Sequence, residues 1–84
     1  MKRTFSNFSI TTHLEKPVTV DNFFKHSIDI RDAENKLITT IKVSELNLRF
    51  AENFIYGDEK IVKETIKYVI NNRLFWIEQL QSIL

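Results

Sequence analysis

The 84-residue sequence contains no cysteine and only one glycine and one proline. Without cysteine there are no disulfides, no thiolate metal sites and no cysteine nucleophile. One glycine cannot build a glycine-rich phosphate loop, and one proline cannot make a stiff linker. Also missing is an apolar run near the ~18 residues of a membrane span. The Met-Lys-Arg start is not followed by the ~7–15-residue apolar stretch of a signal peptide. The expectation is a cytoplasmic protein with no membrane association. Charge of one sign is scarce too: the formal net charge is +1. In successive segments 1–20, 21–40, 41–60 and 61–84 it runs +2, −1, −1 and +1. Nucleic-acid binding rests largely on Lys and Arg neutralising phosphates, so this even spread weighs against it.

What is present is an ordinary globular composition, with 43% hydrophobic, 12% aromatic and 27% charged residues. The length suits one domain spanning residues 1–84, since typical domains run about 100–150 residues and a second core would lack material. Seven Phe supply large pieces for a small core. Eleven Ile, seven Asn and eight Lys stand against two Ala, a bias that AT-rich codons produce. It hints at a low-GC bacterium or its phages.

Phe8, Ile10, Thr12 and Leu14 alternate with Ser9, Thr11 and His13, the period-two pattern of a half-buried strand within RTFSNFSITTHL (3–14). After Pro17, VTVDNF (18–23) suits a short edge strand or a crossing loop. The clearest β pattern is the pair FKHSIDIR (24–31) and LITTIKV (37–43), joined by DAENK. Phe24, His26, Ile28 and Ile30 share one face of the first run, and Leu37, Thr39, Ile41 and Val43 share one face of the second. Two such runs with a short polar connector predict an antiparallel hairpin, and the lack of Gly in the connector predicts a loop of four or five residues.

Residues 45–55 read either way. Leu46, Leu48 and Phe50 alternate like a strand, yet Ser44 can cap a helix and Gly57 suits its C-terminal end. A helix over about 45–55 is the preferred expectation. Asp58 and Glu59 then open a segment of about 25 residues without Gly or Pro, expected to be one long helix. At helical spacing Val62, Ile66, Val69, Ile70, Trp76, Ile77, Leu80, Ile83 and Leu84 form an apolar stripe about 140° wide, enough to cover a sheet. The predicted fold class is therefore α+β: an antiparallel sheet of three or four strands, a short helix, and a long C-terminal helix packed on the sheet.

Arg73 falls in the middle of that stripe. A guanidinium cannot shed its charge, so it must snorkel past the sheet edge, pair with an acid of the domain, or face a partner with Trp76. Ile61, Tyr68 and Phe75 recur every seven residues on the other side of the helix. That narrow seam is either covered by the short helix or left as a binding surface.

The two histidines lack metal-ligand spacing, and Asp29, Asp32 and Glu34 read as acids at a solvated hairpin tip. No catalytic residue, metal site or cofactor is assigned, and a chain this small has little room for a substrate cleft. The leading expectation is a non-enzymatic protein-binding module: an adaptor, an inhibitor or self-associating regulator, or a phage-borne modulator of a host enzyme. It would bind a protein partner or form a homodimer through Tyr68, Arg73, Phe75 and Trp76. The alternative is a nucleic-acid-binding module using Lys25, Arg31 and Lys42 on the outer face of the hairpin.

Overall fold

The computed structural model describes residues 1–13, 17–23, 27–73 and 83–84. Four strands, β1 (Lys2–Thr4), β2 (Phe8–Thr12), β3 (Ile28–Asp32) and β4 (Leu37–Ile41), form one antiparallel sheet in the order β1-β2-β3-β4. A single turn of helix, α1 (Val20–Phe23), lies between β2 and β3. A 3₁₀ turn (Val43–Glu45) leads into α2 (Leu48–Tyr56) and α3 (Glu59–Asn71). The α+β class and the sheet backed by helices are as the sequence predicts.

The core forms between one sheet face and the two helices. Phe8, Ile10, Ile28, Ile30 and Ile41 from the strands meet Ala51, Phe54, Ile55, Val62, Ile66, Val69 and Ile70 from the helices, all buried. For these residues the period-two and 3.6-residue patterns place the apolar side chains as read, while Ile77 and Leu80 of the expected stripe lie outside the described residues. Ile83 is buried with them.

Several details differ from the sequence reading. The first segment carries two strands rather than one, because the chain reverses at 5–7 and Arg3 pairs with Ile10. VTVDNF is neither strand nor loop throughout: residues 20–23 are helical. Thr19 explains this, since its backbone N–H donates to Asn22 Oδ1 at 2.9 Å while Asn22 N–H donates back to Thr19 Oγ1 at 3.3 Å, a reciprocal cap. In the hairpin, Ile30 pairs with Thr39 but Arg31 pairs with Leu37, so Ile38 is the extra residue of a bulge. Ile38 then packs on the core and Leu37, expected to share the inner face with Thr39, is exposed. The connector turns through Asn35, whose φ of 66° is the left-handed conformation that Asn tolerates better than most residues.

Residues 45–55 are mainly helical, but the cap is Asn47 rather than Ser44, its side chain accepting from Phe50 N–H at 2.8 Å. Asp58 caps α3 as expected, accepting from Ile61 N–H at 2.9 Å. Between them Gly57 has φ −71°, ordinary for any residue. Its role is space: a Cβ there would lie 2.5 Å from the Asn53 carbonyl oxygen and 2.6 Å from Ile61 Cγ2. The single glycine therefore lets α2 and α3 meet closely. Helix α3 ends at Asn71, short of the predicted continuation, with Asn72 N–H bonded to Val69 and Ile70 carbonyls. Asn72 Nδ2 also donates to Tyr68 O at 3.0 Å, the local side-chain competition that makes Asn a poor interior helix residue. Phe75 and Trp76 lie outside the described residues, as do Leu14, Phe24, Lys25 and His26.

Candidate functional site

Arg73 sits just past the end of α3 and has its acid inside the chain. Its Nε donates to Glu45 Oε1 at 2.7 Å and Nη2 to Glu45 Oε2 at 3.0 Å, a two-pronged contact. Nη1 donates to Thr39 Oγ1 at 2.9 Å, and Nη2 also reaches the Thr40 carbonyl at 3.0 Å. The side chains are 18% and 24% exposed, so water screens the pair only in part. Of the three fates open to this charge, pairing with an acid of the domain is the one observed. The Arg73 guanidinium, and then the Lys42 backbone N–H, hold the Glu45 carboxyl below its ordinary range against the opposing pull of burial. One side chain thereby ties the end of α3 to β4 and the 3₁₀ turn.

A second arginine does similar work and is not singled out by the sequence. Arg3, on the core side of edge strand β1, donates from Nη1 to Phe54 O at 2.8 Å and from Nη2 to Gly57 O at 2.6 Å. These are carbonyls at the end of α2, where the helix leaves acceptors unpaired and carries its negative pole. The guanidinium also lies 5.1 Å from the centre of the Phe5 ring. The available signal was the alternation itself, which puts Arg3 opposite Ile10 once the first hairpin is recognised. Glu59 completes the set: it accepts from Ser6 N–H at 2.7 Å and Ser6 Oγ at 2.8 Å, which lowers its carboxyl's affinity for a proton.

With both arginines engaged, the open surface is elsewhere. Between α2 and α3 lies a groove of about 570 Å³, walled by Arg49, Phe50 and Asn53 from α2 with its cap Asn47, and by Ile61, Glu64, Thr65 and Tyr68 from α3. Its polar floor is satisfied internally: Thr65 Oγ1 donates to Ile61 O at 2.8 Å and accepts from Asn53 Nδ2 at 3.1 Å. Phe50, Ile61 and Tyr68 add apolar side chains to its lining. The Phe50 and Tyr68 rings meet edge to face with centroids 5.3 Å apart, yet Tyr68 remains 63% and Ile61 40% exposed. The seam read from the sequence is thus partly covered, with α2 supplying Phe50 beside it but leaving two apolar side chains in water.

The remaining described candidates belong to the sheet and its hairpin, none of them in the groove lining. Arg31 lies on the outer sheet face, its Nη2 3.9 Å from the Asp29 carboxylate and its Nη1 3.3 Å from Asn35 O. Lys42 is exposed at the end of β4, and Lys25 is outside the described residues. The acids act structurally: Asp32 Oδ1 accepts from Glu34 and Lys36 N–H groups, both at 2.9 Å, and Asp29 accepts from Thr40 Oγ1 across the strands at 2.7 Å. Among the described residues no three His, Asp or Glu are placed to hold a metal ion. No helix among them is long and apolar enough to cross a membrane. Compared with protein-family models, curated proteins and solved structures, the chain gives no match in any of the three.

Proposed function

We propose that this chain is a non-enzymatic protein-binding module and that the groove between α2 and α3 is its docking surface. The observation that carries the reading is the exposure of Tyr68 and Ile61 in the lining of one concave surface, where the Tyr68 ring meets Phe50. Solitary exposed apolar residues are common, but aromatic and aliphatic side chains grouped in a groove with a polar rim are the usual make-up of an interface centre. Tyr is a frequent anchor because its ring loses little conformational entropy on binding and its hydroxyl can remain hydrated.

Within this reading Tyr68 keeps its role, while Arg73 belongs to the scaffold that fixes the groove walls. The nucleic-acid alternative draws less support, because Asp29 faces Arg31 on the sheet surface that would have to meet phosphates. A photo-crosslinking side chain at position 68, with a control at exposed Leu37, tests the reading in cells that make the protein. Protein adducts from position 68 and none from 37 are expected. Equal labelling at both, or none at 68, would reject the groove.

A further inference from the structure

The partner chemistry that best fits this groove is its own. We propose that it takes a second copy of this chain, docked about a two-fold axis running along the groove, with Arg49 of each copy facing Glu64 of the other. The proposal rests on the reading of the groove as a protein-binding surface and names its occupant.

The charge pattern of the walls carries the argument. Arg49 stands on the α2 wall and Glu64 on the α3 wall. Both are exposed, and among the described residues neither has an ion-pair or hydrogen-bond partner. Lys60 and Lys67 are four residues before and three after Glu64 on the same helix, the spacing of helical neighbours, but they stand outside the groove lining. A surface with an arginine on one wall, a glutamate on the other and a Phe50–Tyr68 contact joining the walls is complementary to itself under a two-fold rotation. Rotation about the groove axis exchanges the walls, laying α2 of one copy over α3 of the other.

The same operation treats the apolar residues consistently. Phe50 and Tyr68 stand level across the groove in each chain, since their rings touch. The rotation therefore sets Tyr68 of each copy over Phe50 of the other. Glu64 lies one turn back along α3, roughly 6 Å away, within reach of an arginine rooted beside Phe50. Every contact occurs twice, as in any isologous interface, so a single substitution removes two. A net charge of only +1 leaves little repulsion between copies. An unrelated partner would have to supply this alternation of charge and apolar surface, whereas a second copy already has it.

Sedimentation equilibrium of the full chain from the micromolar to the millimolar range is the test, with circular dichroism confirming that each variant is folded. The wild type is expected to dimerise. R49E and E64R should each weaken the dimer by about tenfold or more, and the double variant R49E/E64R should recover to within about threefold of the wild type. R49Q and E64Q, which only neutralise the pair, should fall between and serve if a reversal misfolds. A wild type that stays monomeric throughout overturns the inference, as does a dimer indifferent to all these substitutions. Adducts from position 68 to a different protein, together with a monomeric wild type, would reject self-docking while leaving the groove a protein-binding surface.

Discussion

At the scale of single residues the two engaged arginines show how a charge can be placed beside a core without being idle or exposed. Arg3 and Arg73 each bond to elements far away in the chain, and each donates to backbone carbonyls there. What the sequence made legible was the need: a permanent charge amid Val69, Ile70 and Ile66 must snorkel to water, pair with an acid of the domain or meet a partner. It did not reveal that Glu45 is that acid, because the pairing spans 28 positions and depends on how the 3₁₀ turn presents its side chain. Arg3 was missed for a related reason, since its acceptors are carbonyls and leave no trace in side-chain pattern. Replacing Arg3 with Leu keeps the apolar stem but strips the Phe54 and Gly57 carbonyls of their donor. Urea unfolding should show a loss of about 1–2 kcal/mol.

At the scale of elements, legibility followed the strength of periodicity. The alternation in 8–12 and 28–32, and the Asp58 cap of α3, came through because the local pattern and the packed fold agree. Bulges and helix ends did not, since each is settled by one residue's competition with the backbone. Ile38 displaces Leu37 from the inner face, and Asn72 helps end α3 where propensity alone carries it further. The α2–α3 corner depends on the absence of a side chain at Gly57. Since φ there is ordinary, Gly57→Ala should suffer no backbone strain. It should instead collide with the Asn53 carbonyl, which cannot rotate away as a side chain would. A thermal melt should reveal a loss of about 1–3 kcal/mol, the range for overpacking. Stability unchanged or raised, as for a glycine-to-alanine replacement at an unhindered site, would show that the corner has slack.

For the whole molecule, the carboxylates of Glu45 and Glu59 link the helices to the sheet and set a pH dependence. Each binds protons less readily folded than unfolded, Glu45 through Arg73 and Glu59 through Ser6. Their stabilising contribution is therefore complete above the ordinary glutamate value of about 4.3 and fades as pH falls through the lower folded values. The unfolding free energy should fall below about pH 4.5, and Glu45→Gln should flatten that part of the profile. A profile as steep in Glu45→Gln as in the wild type would contradict the assignment.

The central claim is a division of labour, with Arg73 as internal scaffold and Tyr68 as free docking surface. Urea unfolding of Arg73→Leu and Tyr68→Ala side by side tests it most directly. Arg73→Leu leaves a part-buried Glu45 without its cation, and a loss of about 2 kcal/mol or more is expected, between the values for exposed and buried pairs. Tyr68→Ala, giving up one ring contact on an exposed helix face, should stay within about 1 kcal/mol of the wild type. The opposite order, a costly tyrosine and a dispensable arginine, would place Tyr68 in the core and return Arg73 to the surface, contradicting the account.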